Sequence, residues 1–155
     1  MMRTTTRQYY IPALAAIHQK LKPLALPLLR ISLGALFVAH GYGKFKGALF
    51  GDGLEGMAGR LGEKGFEPGI IWAWGTMIIE FFGGMAIALG LFTRLFAFLA
   101  ALMMYLIVFK YKGAEIFFAH RGGIEYDLVL AVLFSVFAII GSGKYGLDNN
   151  LRKTF

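Results

Sequence analysis

The chain has 155 residues, of which 57% are hydrophobic and 16% charged, and its mean hydropathy is +0.62. A soluble globule of this size would have too few polar residues to cover its surface, so the composition predicts an integral membrane protein. The net charge of +7 suits contact with the anionic headgroups of a lipid bilayer, and nucleic-acid binding is not expected because the sequence offers no soluble basic domain.

Residues 1–23 are predicted to form an interfacial segment ahead of the first membrane span. This region carries basic residues and the short apolar run IPALAAI. The run is followed by His18, Gln19 and Lys20 instead of the small residues of a cleavage site. This pattern favours an amphipathic segment at the membrane surface over a signal peptide.

Residues 24–155 are predicted to form one domain, an all-α integral membrane four-helix bundle. A helix of about twenty apolar residues covers the hydrocarbon core of a bilayer. Strands at that depth require a closed barrel and strict alternation of apolar and polar residues, which this chain lacks. The predicted spans are residues 24–43, 70–91, 93–111 and 122–140. The last two have short apolar cores, so each needs flanking residues to cross the bilayer.

Both termini are predicted to lie on the cytoplasmic side of the membrane. Lys and Arg outside the spans are divided almost evenly between the two sides, but the flank leading into the first helix is basic. The two long connections then share the opposite side, where function is expected to concentrate. The first of them, FKGALFGDGLEGMAGRLGEKGFEPG, is rich in glycine and is predicted to be a loop.

Glu80 is the most informative residue, because it lies in an apolar segment long enough to span the membrane. A carboxylate at that depth is costly unless it is paired or faces a polar interior. Arg30 is the only basic residue within the first apolar segment, and its expected depth is similar, so we expect it to pair with Glu80. Two interpretations stay open: the pair only fixes helix register, or Glu80 also handles a proton or a polar ligand.

Two histidines are predicted to lie at the end of the bundle that is away from the termini. His40 and Lys44 are four residues apart, hence on one face near the end of the first helix, and His120 precedes the fourth helix on the same side. Each histidine could instead be an interfacial residue that hydrogen-bonds locally. The chain has no cysteine, which excludes thiol chemistry on this polypeptide, and no tight ligand spacing such as HExxH, which disfavours a metal or haem.

Taken together, these residues resemble the DoxX family of small four-helix bacterial membrane proteins. The resemblance covers about residues 30–148 and rests on a combined pattern, since each piece alone is weak. The segments that carry it are RISLGALFVAHGYGKFKG, IEFFGGMAIALGLFTRLFAFLAALMM and GIEYDLVLAVLFSVFAIIGSGKYGLD. Their characteristic positions are Arg30, Gly34, Gly41, Lys44, Glu80, Gly83, Gly84, Gly90, Thr93, Arg94, Glu125, Gly141, Gly143, Leu147 and Asp148. Gly34, Gly41, Gly83 and Gly84 are predicted to permit close helix approach.

The resemblance implies a protein of the bacterial cytoplasmic membrane with cytoplasmic termini. Members are commonly described as quinone-linked oxidoreductase subunits that work with a redox partner protein. The expected function is therefore binding of a quinone-like amphiphile, with Arg30 and Glu80 positioning or protonating its headgroup. The entrance to that site would be lined by His40, Lys44, His120 and Glu125. The competing function is a non-catalytic small transporter or an assembly subunit of a membrane complex, and whether the chain forms homo-oligomers stays open.

Overall fold

The computed structural model describes residue 10 and residues 12–47, 53–113 and 115–151. Within these ranges the chain forms helices joined by turns, with no β-strand, which confirms the all-α prediction. The longer helices are α1 (Pro12–Leu21), α2 (Ala25–Lys46), α3 (Gly53–Glu63), α4 (Gly69–Leu89), α5 (Thr93–Lys112) and α6 (Glu125–Ile140).

Three helices are long and apolar enough to cross a membrane: α4, α5 and the continuous helix Leu14–Lys46, in which α1 runs into α2. The apolar helix α6 has 16 residues. At 1.5 Å of rise per residue it extends about 24 Å, less than the hydrocarbon core of about 30 Å. It is shorter than predicted because Gly122, in the left-handed conformation, ends a short 3₁₀ turn and the helix begins only at Glu125.

The predicted interfacial segment contains the helix α1, whose apolar side chains share one face. Leu14, Ile17 and Leu21 follow a helical spacing of three and four residues, and each is more than half exposed. In the sequence, polar residues such as Lys20 lie between these apolar positions. Residues 1–9 lie outside the described part of the chain, and the position of α1 at the membrane surface remains a prediction.

Small residues bring α2 and α4 into direct contact, as the sequence predicted. A Cβ added to Gly34 would lie 2.6 Å from the carbonyl oxygen of Gly84, and one added to Gly41 would lie 2.5 Å from the backbone nitrogen of Phe81. Gly83 faces α5 in the same way, since its Cβ would lie 3.0 Å from the ring of Phe96. Glycine is therefore needed at Gly34 and Gly41, where a side chain would force the helix backbones apart, whereas at Gly83 the ring of Phe96 would have to move.

The hydrophobic core lies between α2, α4, α5 and α6. At its centre the rings of Phe37 and Phe134 meet edge to face with centroids 4.3 Å apart. The alanines of α5 are buried there, which lets α6 approach α5 closely along its length. The buried core residues are Leu33, Phe37, Ile87, Ala97, Ala100, Ala101, Met103, Met104, Leu130, Ala131, Phe134 and Phe137.

The first long connection is not only a loop, because it contains the helix α3. This corrects the prediction made from its glycine content. Leu61 of α3 is buried against Phe66 and Ala73, and Leu54 and Met57 pack against the same small cluster. Burial of this apolar face offsets the low helix propensity of the glycines. α3 thus covers one side of the bundle near the C-terminal end of α2.

The C-terminal segment closes the turn between α4 and α5. The carboxylate of Asp148 accepts hydrogen bonds from the backbone nitrogens of Phe92 (2.6 Å) and Thr93 (3.1 Å), at the start of α5. Its own backbone nitrogen donates to the carbonyl of Gly90 at 2.8 Å. A carboxylate at a helix N-terminus satisfies free N–H groups and favours the helix dipole. The segment SGKYGLD, residues 142–148, therefore serves as a structural clasp, which we call the C-terminal clasp.

Candidate functional site

Glu80 is paired, and its partner is Lys44. The Nζ of Lys44 lies 2.5 Å from Oε1 of Glu80, and the two side chains are only 6% and 5% exposed. Glu80 belongs to a π-helical turn of α4, Ile79–Gly83, packed against α2 where Gly41 removes any side chain from between the helices. π-helical turns inside α-helices occur often at functional sites.

The predicted pair between Arg30 and Glu80 is wrong. Arg30 is buried at the other end of α2, where Nη1 donates to the carbonyl oxygen of Ser142 at 2.6 Å and Nη2 to that of Tyr145 at 3.3 Å. Arg30 and Lys44 are fourteen positions apart in one helix, a rise of about 21 Å. Arg30 therefore joins the first span to the C-terminal clasp and does not contribute to the surroundings of Glu80.

A cavity of about 300 Å³ lies beside the Lys44–Glu80 pair, and we call it the central cavity. Every helix from α2 to α6 contributes to its wall. Its apolar lining is Leu36, Phe37, Met57, Leu61, Met104, Ile107 and Leu130. Its polar lining is His40, Lys44, Arg60, Thr76, Glu80, Tyr111, Lys112, Tyr126 and Asp127. Although nine of these sixteen residues are polar, most of the surface that faces the cavity is apolar, and an apolar pocket into which polar groups converge is typical of small-molecule sites.

A second ion pair lies on the more exposed rim of this cavity. Nζ of Lys112 is 2.5 Å from Oδ2 of Asp127, with side chains 31% and 13% exposed. Lys112 also donates to the carbonyl of Gly123 at 3.2 Å. Like Glu80, Lys112 comes from a π-helical segment, Ile107–Lys112 at the end of α5. Both π-helical segments of the described chain thus supply polar side chains to the same cavity.

Of the remaining predicted site residues, His40 lies at the cavity, His120 lies in the loop before α6, and Glu125 is the first residue of α6. His40 lines the central cavity, and its Nδ1 lies 2.9 Å from the carbonyl oxygen of Leu36, so this nitrogen donates. His120 is exposed, with its ring centroid 5.8 Å from that of Phe118. Glu125 accepts a hydrogen bond from the backbone nitrogen of Ala119 at 3.2 Å. Neither His120 nor Glu125 lines the central cavity.

Several cavity residues were not proposed from the sequence. Arg60 and Met57 lie on α3, which the glycine content concealed, and they could have been found from the apolar spacing of Leu54, Met57 and Leu61. Tyr126 and Asp127 follow Glu125 on the first turn of α6. Their position beside Lys112 depends on how α5 and α6 meet, which no local pattern in the sequence specifies.

Comparison with known proteins identifies the family. The DoxX family model matches residues 25–121, which include α2, α3, α4, α5 and therefore Lys44, Arg60 and Glu80. The chain belongs to the DoxX family. As a DoxX-family protein with three helices long enough to cross a bilayer, it is a membrane protein.

Curated relatives cover most of this DoxX-family chain. An "Uncharacterized protein" of Haemophilus influenzae is 33% identical over 87% of the chain and 96% of its own length. "Inner membrane protein YqjF" of Escherichia coli is 27% identical over 87% of the chain and 98% of its length. "Putative oxidoreductase CatD" of Bacillus subtilis is 31% identical over 78% of the chain and 82% of its length. No solved structure matches the chain.

Proposed function

We propose that this DoxX-family protein binds the headgroup of a quinone in the central cavity and acts as the membrane subunit of an oxidoreductase. The observation that carries the proposal is the state of the Glu80 carboxylate. Oε1 is bound by Lys44, whereas Oε2 is buried and has no hydrogen-bond partner among the described residues. A buried acceptor without a donor is costly, and a ligand hydroxyl would satisfy it.

The two members of the ion pair match the two redox forms of a quinone. A quinone carbonyl only accepts hydrogen bonds, and the Lys44 ammonium has further N–H groups to donate. A quinol hydroxyl donates, and Oε2 of Glu80 accepts. The ring would lie between apolar walls such as Phe37 and Met104. The Lys44–Glu80 pair would therefore bind both the quinone and the quinol, and the fold would not need to change between them.

Reduction of the quinone requires two electrons and two protons. The electrons would come from a reduced prosthetic group of a partner protein, because the chain has no cysteine for a thiol couple of its own. Glu80 and His40 are the titratable side chains that suit proton delivery to the two ring oxygens. The name of the Bacillus subtilis relative, which describes an oxidoreductase, supports this class of reaction.

The alternative function is a non-catalytic transporter or assembly subunit. It is favoured by the same ion pair, which bridges α2 and α4 and would fix their register whether or not a ligand binds. The alternative expects no quinone in the purified protein. It also expects that Glu80 matters for folding alone.

The proposal is tested with Glu80→Gln, which keeps the shape of the side chain and removes its charge. Affinity for decylubiquinone should fall by about tenfold or more, the equivalent of a lost hydrogen bond to a charged group. Isothermal titration of the protein in detergent, limited to the folded monodisperse fraction, measures it. Unchanged affinity would assign Glu80 a structural role and support the alternative.

Arg30→Gln is the matched control for that experiment. Arg30 is also a buried charged residue of the bundle, but it lies outside the central cavity. The variant should lower thermal stability because the carbonyl oxygens of Ser142 and Tyr145 lose their donor. The folded fraction should bind decylubiquinone as the unmodified protein does. An equal loss of binding in both variants would indicate a general effect of destabilisation.

We further propose that the termini face the cytoplasm of a bacterial inner membrane, which places the central cavity toward the opposite face. The basic flank of the first helix supports this orientation. In intact cells, Lys64→Cys, in the exposed turn after α3, should react with an impermeant thiol reagent, and Asn150→Cys should react only after lysis. The chain has no cysteine, so the unmodified protein isolated after labelling carries no label. The reverse labelling pattern would invert the orientation.

A further inference from the structure

A second cavity of about 320 Å³ adjoins the central one, and we call it the lateral cavity. It lies between α4 and α5 and shares part of its wall with the central cavity. The shared residues are Leu61, Thr76, Ile107 and Tyr111. None of the residues that line the lateral cavity is charged.

The outer wall of the lateral cavity faces the surroundings of the bundle. Ile71, Trp72 and Leu102 line it and are 64%, 39% and 47% exposed, in helices long enough to span a bilayer. In a membrane these side chains contact lipid tails. The lateral cavity therefore lies between the central cavity and the hydrocarbon phase at the side of the bundle, with Leu61, Thr76, Ile107 and Tyr111 as the wall shared by the two cavities.

We propose that the lateral cavity holds the apolar tail of the quinone whose headgroup occupies the central cavity, and that the ligand enters sideways from the bilayer between α4 and α5. This inference rests on the proposed function. A central cavity of about 300 Å³ leaves little room for a long hydrocarbon tail beside the ring. Leaving along the rim would carry the tail past the ions Arg60, Lys112 and Asp127, at a cost in solvation. The uncharged lateral cavity imposes no such cost.

Gly75 of α4 lies beside open space that the tail would occupy. It lines the lateral cavity, and a Cβ built on it would meet no atom within 4 Å. Glycine weakens a helix unless packing or backbone conformation requires it. The contacts that require Gly34 and Gly41 are absent at Gly75, so the vacant volume beside it is the feature that a ligand would use.

The experiment compares Gly75→Leu with Gly59→Leu. Both glycines are helical and open, but Gly59 lies on the exposed face of α3 and lines neither cavity. Affinities are measured in the same micelles for decylubiquinone and for its tail-free parent benzoquinone, so partitioning into detergent is identical for all proteins. The unmodified protein should bind decylubiquinone about tenfold or more tightly than the parent, as burial of several methylenes requires.

Gly75→Leu should remove most of that preference and leave binding of the parent benzoquinone within about twofold. Gly59→Leu should retain the preference. Leu102→Trp, which fills the lateral cavity from α5, is the second variant in the event that Gly75→Leu does not fold, and it should act in the same direction.

Two results would overturn the inference, and they are distinguishable. If both cavity-filling variants retain the preference for decylubiquinone, the tail does not occupy the lateral cavity. The proposed headgroup site would then stand. If the unmodified protein binds neither quinone, the inference and the proposed function fail together.

Discussion

Lys44→Met is expected to lower the free energy of unfolding by about 3–5 kcal/mol, because it leaves the buried carboxylate of Glu80 without the positive charge that it pairs with. The double variant Lys44→Met/Glu80→Met should recover most of this loss, since apolar side chains of similar volume often replace a buried ion pair at little cost. Denaturation in detergent of the two single variants and the double variant gives the coupling energy. If the losses of the two single variants simply add in the double variant, Lys44 and Glu80 do not stabilise each other.

The rim pair supplies the matched control. Lys112→Met removes the same charge from a pair of the same length, but its side chain is 31% exposed where that of Lys44 is 6%. Asp127 is itself 13% exposed, so water solvates its carboxylate in part after the change, and the expected loss is about 1–3 kcal/mol, smaller than that of Lys44→Met. A loss as large as that of Lys44→Met would mean that burial does not determine the strength of these pairs.

Gly41→Ala is expected to destabilise the bundle by about 1–3 kcal/mol, or more if α2 and α4 cannot separate. The new Cβ would lie 2.5 Å from the backbone nitrogen of Phe81 and 2.8 Å from its Cβ. Since Phe81 follows Glu80 in the π-helical turn, moving this backbone also disturbs the Lys44–Glu80 pair. Thermal unfolding in detergent and decylubiquinone titration should therefore both report a loss.

Gly75→Ala is the control for this second variant. It makes the same chemical change in a membrane-spanning helix at a position with no neighbour within 4 Å. Alanine favours the helix over glycine by up to about 1 kcal/mol, so stability should be unchanged or higher. If Gly41→Ala were equally harmless, the close approach of α2 to α4 would not depend on glycine.

Hydropathy predicted the apolar helices well because each is set by local composition. The sequence also indicated that Glu80 needed a partner, and it indicated the glycines at the helix crossings. It did not identify Lys44 as the partner. The first span was expected to end near residue 43, which would place Lys44 in the headgroup region, whereas α2 continues to Lys46 and holds Lys44 inside the bundle.

The cavity itself was beyond prediction from local patterns. It exists because α3 folds back over the bundle, and the apolar face of α3 was hidden by the glycines Gly53, Gly56, Gly59 and Gly62. The π-helical turns depend on packing between helices as well as on their own residues, so no periodicity in the sequence reveals them. The depth at which α2 and α4 meet is likewise a tertiary property.

The burial of Arg30 beneath the C-terminal clasp gives the bundle two unlike ends. Its guanidinium lies so close to Gly90 and Gly146 that a Cβ at either position would overlap it. A permanently positive group buried at this end of the bundle repels cations and protons. A proton released or taken up at Glu80 would thus exchange with the face on the Lys112 side and not traverse the bundle.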